Sequence, residues 1–146
     1  MTLVKQLLRS KGSEVWTVAP DTSVYDALQT MADKNIGALV VVEVNKVIGI
    51  ISERDYARKV ILQGKSSVHV PVKEIMTDRV FCVTPEYTIE QCMAVMTDRR
   101  IRHLPVLDND KLVGIVSIGD VVKGIISNQE FMIEQLEKYI VGGGHV

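Results

Sequence analysis

Two short stretches carry the residues best suited to chemistry. Residues 49–55 read GIISERD and residues 114–120 read GIVSIGD, so the pattern Gly-Ile-x-Ser-x-x-Asp occurs twice. Ser52 with Asp55, and Ser117 with Asp120, place a hydroxyl three residues ahead of a carboxylate where an apolar run ends. A carboxylate suits a vicinal diol, because its two oxygens accept from two neighbouring hydroxyls. A strand feeding a helix at this point adds free N–H groups and the positive end of a helix dipole, which favour a phosphate. Arg54, Arg58 and Arg102 are the cations that would complete the neutralisation of such an anion. The same spacing also joins a helix N-cap to its N3 residue, so each pair reads equally well as a capping box. The two roles are compatible.

The heptads are the most visible part of a longer duplication. Shifted by 65 residues, the chain lies on itself without a gap: Val15 on Val80, Val18 on Val83, Pro20 on Pro85, Met31 on Met96, Asp33 on Asp98, Leu39 on Leu104 and Lys46 on Lys111. An ungapped register of this length marks an internal repeat. Each copy predicts the same elements. Val15–Val18 and Val80–Val83 read as short strands closed by a proline. Helices start behind Ser23/Asp26 and Thr88/Gln91, with apolar residues at Val24, Ala27, Leu28, Met31 and at Ile89, Cys92, Met93, Met96. Hairpins follow, Ala38–Val42 with Val47–Ser52 and His103–Leu107 with Leu112–Ser117, across polar turns. Second helices are predicted over roughly 53–63 and 119–127.

The predicted fold class is therefore α/β (α+β): two β-α-β-β-α repeats packed as a pseudo-twofold pair, plus a C-terminal helix. The first repeat spans 1–65 and the second 66–127, joined through Gly64-Lys65-Ser66-Ser67 and Pro71. Residues 128–146 hold a separate helix and tail. That helix is predicted to be capped by Ser127/Glu130 and to place Met132, Leu136, Tyr139 and Ile140 on one face, with GGGHV fraying at the end. One repeat alone has little core, so the two are expected to pack together.

Composition narrows the function. Apolar residues make up 47% of the chain, which indicates a folded domain, while 17 basic and 18 acidic residues leave a net charge of −1. Such a balance recruits neither nucleic acid nor an anionic membrane surface. No apolar run reaches the length of a membrane span, and the N-terminus lacks a signal-peptide pattern. Cys82 and Cys92 form neither a disulfide framework nor a metal cluster, so reduced buried thiols in a cytoplasmic protein are expected. No metal site is predicted.

A tandem of β-α-β-β-α units, each closing on G-h-h-S-x-x-D, resembles a pair of CBS domains, the regulatory repeats of cystathionine β-synthase, IMP dehydrogenase and the γ subunit of AMP-activated kinase. VKEIMT at 72–77 is similar to the start of a second such repeat, and IRHLPVLD at 101–108 to its middle strand. The resemblance covers about residues 3–127. It implies adenine-nucleotide binding in clefts between the repeats, without catalysis. Asp55 and Asp120 would hold ribose hydroxyls, and Ser52 and Ser117 would contact ribose or phosphate. Adenine would lie against Thr77, Val80 and Cys82 in one cleft and against Gly12, Val15 and Thr17 in the other. Arg102 and His103 would meet phosphate, where the first repeat has only Gly37 and Ala38. Ile50, Ile115, Arg54 and Gly119 complete the candidate set. Gly12 replaces the hydroxyl of Thr77, so the two clefts are unequal.

The resulting expectation is a module that senses adenine nucleotides (AMP favoured; ATP, ADP, NAD or S-adenosylmethionine as alternatives). It would work as a homodimer and signal to a regulated protein. The rival reading is a ligand-free dimerisation or docking scaffold with vestigial clefts. An enzyme finds little support: there is no Walker A loop, no GxGxxG after a strand and no HExxH.

Overall fold

The computed structural model describes residues 2–143, with the side chains of residues 2–140. Part of the predicted frayed tail, Gly144, His145 and Val146, lies outside the described residues. The chain runs α1 (Val4–Lys11), β1 (Thr17–Val18), α2 (Val24–Lys34), β2 (Ala38–Glu43), β3 (Lys46–Ser52), α3 (Glu53–Lys59), α4 (Ile89–Arg99), β4 (His103–Asp108), β5 (Lys111–Ser117) and α5 (Ile118–Gly143), with single 3₁₀ turns at Ile61–Gln63 and Val72–Glu74.

Both hairpins form in matching register: Val40 pairs with Ile50, and Pro105 with Ile115. Bulges fall at Val41/Val42 and Val106/Leu107, 65 positions apart like the rest of the repeat. Each hairpin closes through two consecutive left-handed residues, Val44 and Asn45 (φ 50° and 61°) and Asn109 and Asp110 (φ 51° and 64°). That conformation matches the twist of an antiparallel pair. Lys46, expected in the turn, already belongs to β3.

The helix caps form at the predicted residues. Ser23 Oγ accepts from the Asp26 N–H, and Thr88 and Gln91 exchange both bonds of a capping box. Behind them Val24, Ala27 and Met31 of α2 and Ile89, Cys92 and Met96 of α4 are buried, as the helical spacing requires.

Four expectations are corrected. The strand over Val15–Val18 shrinks to β1, paired parallel with β2 at Thr17–Val40 and Val18–Val41. The strand over Val80–Val83 survives only as one parallel bridge, Val83–Val106, the image of Val18–Val41. A short apolar run has the propensity for a strand, but ladder pairing beyond these residues finds no partner. The helices expected at 119–127 and from Ser127 onward are one continuous helix, α5. No Gly or Pro interrupts 125–141, so nothing competes with propagation through Ser127. Conversely, the helix expected over 53–63 ends at Lys59 and continues only as the 3₁₀ turn Ile61–Gln63.

Helix α1 is an element the repeat parsing did not predict, although Val4, Leu7, Leu8 and Lys11 have helical spacing. It packs against the second repeat, not the first. Val4 and Leu8 share a core cluster with Val83, Ile89, Leu104 and Val116. In exchange, Val70, Val72 and Ile75 are buried with Val24, Leu39 and Ile51 of the first repeat. The two crossings are alike bond for bond. The Val4 N–H donates to Tyr87 O (2.7 Å) and the Val72 N–H to Thr22 O (2.8 Å); the Lys5 N–H donates to Pro85 O (2.9 Å) and the Lys73 N–H to Pro20 O (3.0 Å).

This exchange explains the glycine that opens each heptad. A Cβ on Gly114 would stand 2.7 Å from Leu8 Cδ2, and one on Gly49 would meet Met76 Sδ and stand 3.1 Å from Thr77 O. A side chain at either position would push Leu8 or Met76 aside and, at Gly49, crowd the Thr77 carbonyl. Glycine lets the crossing segment lie close against the strand.

Candidate functional site

Each heptad ends where a strand becomes a helix, β3 into α3 and β5 into α5. At the first junction Asp55 Oδ2 accepts from the Ser52 N–H (2.9 Å) and Oγ–H (3.1 Å), and the Asp55 N–H donates to Ser52 Oγ (3.3 Å). Aspartate is long enough to close the capping box, so the capping reading is correct for this pair. The second junction repeats the pattern, Ser117 N–H to Asp120 Oδ2 (2.9 Å) and Asp120 N–H to Ser117 Oγ (3.1 Å). Capping uses Oδ2 of each carboxylate, and each carboxylate also pairs with a lysine, through Oδ1 in Asp55 and through the same Oδ2 in Asp120.

Those partners differ. Lys59 Nζ lies 3.1 Å from Asp55 Oδ1 and donates to Ile75 O (2.9 Å). Lys11 Nζ, from α1, lies 2.6 Å from Asp120 Oδ2 and donates to Ile115 O (2.8 Å). Burial pushes the Asp120 carboxyl pKa up, but the Lys11 hydrogen bond, the Ser117 N–H and the Lys11 charge outweigh it and hold the group below its ordinary value.

Both carboxylates open onto clefts. The Asp55 cleft, a cavity of about 540 Å³, is lined by Ile50, Ser52, Arg54, Thr77, Val80, Arg102, His103 and Gly37 from the candidate set. Arg79, Arg100, Arg58, Lys59 and Phe81 join them, so six permanent cations face two carboxylates, Glu53 and Asp55. The Asp120 cleft, of about 690 Å³, contains Gly12, Ile115 and Ser117 from the candidate set. Its remaining polar lining is Lys11, Lys34, Glu14 and Asn35, with Trp16 as its aromatic. His103 and Gly37 line both clefts. Burial first, then the charges of Lys11, Arg102 and Arg54, lower the His103 pKa against the opposing pull of Asp120.

Four candidates lie outside both linings: Cys82, Val15, Thr17 and Gly119. Trp16 takes the place expected of its neighbours Val15 and Thr17, since adjacent residues of an extended segment face opposite ways. Thr17 is instead held in β1, paired with Val40. Phe81 lines its cleft beside Val80 where Cys82 does not, and Gly119 lies outside both linings. Burial raises the pKa of Cys82 and, with Glu90, that of Cys92 to about 11, so both thiols stay protonated.

Arg79, Arg100 and Trp16 line the clefts from outside the two heptads, so the heptad pattern does not mark them. The 65-residue register marks Trp16 through its aromatic image Phe81, but gives no such signal for Arg79 and Arg100, whose images are Glu14 and Asn35. It also links two cation–π pairs: Lys34 Nζ lies 4.2 Å from the Trp16 ring and the Arg99 guanidinium 4.7 Å from the Phe81 ring, each pair the image of the other.

With two duplicated halves, exchanged crossing segments and paired clefts established, the comparison with known proteins is direct. The CBS domain family model matches residues 4–62 and again 72–127. The chain belongs to the CBS-domain family. This CBS pair is 43% identical to the mitochondrial CBS domain-containing protein CBSX3 of Arabidopsis thaliana, over 97% of this chain and 73% of that protein. It is 33% identical to CBS domain-containing protein YhcV of Bacillus subtilis, over 80% and 83% respectively.

Among solved structures, a putative signal-transduction protein with CBS domains from Burkholderia ambifaria superposes with TM-score 0.84 at 50% identity, over 88% of this chain and 96% of that one. The CBS domain pair of protein MJ0100, in complex with 5′-methylthioadenosine and S-adenosyl-L-methionine, superposes with TM-score 0.78 at 28% identity, over 88% and 98%. Among the described residues no helix is long and apolar enough to cross a membrane, and no group of side chains has the makings of a metal site.

Proposed function

We propose that this CBS pair is a regulatory adenine-nucleotide-binding module, not an enzyme, and that its principal site is the Asp55 cleft. The observation that carries this reading is the concentration of Arg54, Arg58, Arg79, Arg100 and Arg102 around a cavity that also holds the Ser52–Asp55 helix start. A diol acceptor and a phosphate-matching guanidinium cluster lining one cavity suit the two polar ends of a nucleotide. Ile50, Val80 and Thr77 supply the apolar wall for the base. MJ0100, with adenosine ligands in a related CBS pair, supports the ligand class. AMP is the favoured ligand, with ATP, ADP and NAD as the alternatives.

Because the cleft is lined from both halves, by Asp55 of α3 and by Arg102 and His103 beside β4, its occupant favours one arrangement of the repeats over another. A regulated protein reads that difference. The module works as a homodimer in the cytoplasm or another reducing aqueous compartment, where Cys82 and Cys92 stay thiols. Its dimer contact is the exposed apolar side of α5, including Met132, Ile133, Leu136 and Ile140. The lining of the Asp120 cleft, which holds no arginine, favours a second reading, in which only one cleft takes a nucleotide.

Isothermal calorimetry with AMP, ADP, ATP, NAD and S-adenosylmethionine tests the proposal. Saturable heat with at least one adenylate, lost in Asp55→Asn, is expected. Silence across the panel would leave a ligand-free scaffold.

A further inference from the structure

The repeat register pairs every lining residue of one cleft with a counterpart in the other half, and the charges do not survive the exchange. Arg79 corresponds to Glu14, Arg100 to Asn35, Arg102 to Gly37 and Arg54 to Gly119. Only Arg58 keeps a cationic counterpart, Lys123, and Lys123 does not line the Asp120 cleft. What remains there is Lys11, Lys34 and the shared His103, whose pKa burial lowers, against Glu14 and Asp120. Both lysines are engaged, Lys11 on the Asp120 carboxylate at 2.6 Å and Lys34 over the Trp16 ring at 4.2 Å. The helix start at Ser117–Asp120 exists in both clefts and so does not discriminate between them.

A phosphate entering the Asp120 cleft would meet no guanidinium and an unpaired Glu14, whereas the ribose and base would still find partners. Asp120 Oδ1 accepts no hydrogen bond from the described residues, and Trp16, about one-third exposed, lines the same cleft. Resting on the reading of both clefts as adenosine sites, we propose that the Asp120 cleft selects an uncharged nucleoside over a nucleotide, with Trp16 as the stacking surface and Lys11 as the built-in counter-ion of Asp120. The two clefts then divide the work. The Asp55 cleft reports phosphorylated adenosine and the Asp120 cleft its phosphate-free form.

Trp16 is the only tryptophan of the chain, so its fluorescence reports the Asp120 cleft alone. Adenosine and ATP are titrated against the intact protein, with excitation at the red edge where adenine does not absorb. Adenosine is expected to change the emission saturably at a concentration roughly tenfold or more below that needed with ATP, as base stacking without a phosphate penalty predicts. In Glu14→Arg/Asn35→Arg, which restores two of the missing arginines, the order should reverse. Asn35 and Arg100 share the same left-handed φ of 55°, so arginine fits there.

ATP acting below adenosine in the natural chain, or no saturable response to adenosine, would overturn the proposal. So would an unchanged order in the folded variant; should the variant not fold, the order in the natural chain decides. Calorimetric heat with ATP that leaves Trp16 unmoved reports the Asp55 cleft separately. Failure of the nucleotide reading there is therefore distinguishable from failure here.

Discussion

At the residue scale, one aspartate serves two masters in each half. Asp55 both closes the cap of α3 and faces the cleft, so substitutions separate the roles. Asp55→Asn keeps an acceptor for the Ser52 N–H but loses the charge, and is expected to weaken adenylate binding by roughly tenfold or more while the melting temperature moves little. Asp55→Ala removes the cap as well and should cost about 1 kcal/mol of stability. Calorimetry and thermal melts distinguish the two. Asp120 makes a pH-dependent contribution. Its carboxyl lies below the ordinary value of 3.8, so the stability it adds is complete above that value and is lost as pH falls through the lower folded value. Lys11→Met removes two of the interactions that lower this pKa, the hydrogen bond and the charge of Lys11. Melts of the natural protein and Lys11→Met should therefore differ at neutral pH and converge in acid. A gap that persists at low pH would place the effect elsewhere.

At the scale of elements, the duplicated hairpins run a natural control on turn chemistry. The first turn puts Val44, exposed and β-branched, in the left-handed region (φ 50°), where its image Asn109 (φ 51°) sits without penalty. Val44→Asn should stabilise the fold by about 1 kcal/mol, read as a rise of several degrees in melting temperature. A fall would mean that the valine makes a contact worth more than the strain. The turns, caps and helical faces were legible because each is a local bargain between neighbours, such as Thr88 with Gln91. The shortened strand at Val80–Val83 was not legible. Whether an extended run becomes a ladder depends on how much of a neighbouring edge it can reach.

At the scale of the molecule, the last part of α5 poses a requirement. Phe131, Met132, Ile133, Leu136, Tyr139 and Ile140 are all more than half exposed, on a stretch too short to persist as an isolated helix in water. Ile126, Ile133 and Ile140 recur every seven residues, with Leu136 between them, the spacing of a helix–helix seam. Leu136→Glu is expected to convert a dimer to monomer, with loss of about 2 kcal/mol or more of association free energy, measured by sedimentation equilibrium. An unchanged dimer would move the contact to another surface.

The sequence by itself determined the duplication, the hairpins, the caps and the two Ser–Asp helix starts, because these follow from spacing along the chain. Only the tertiary structure decided that α1 belongs to the second repeat's core and residues 70–75 to the first, and that Lys11 therefore reaches Asp120. It likewise decided which of Val15, Trp16 and Thr17 faces a cleft. These outcomes depend on which surfaces meet once both halves are folded, and packing between distant segments leaves no periodic trace in either of them.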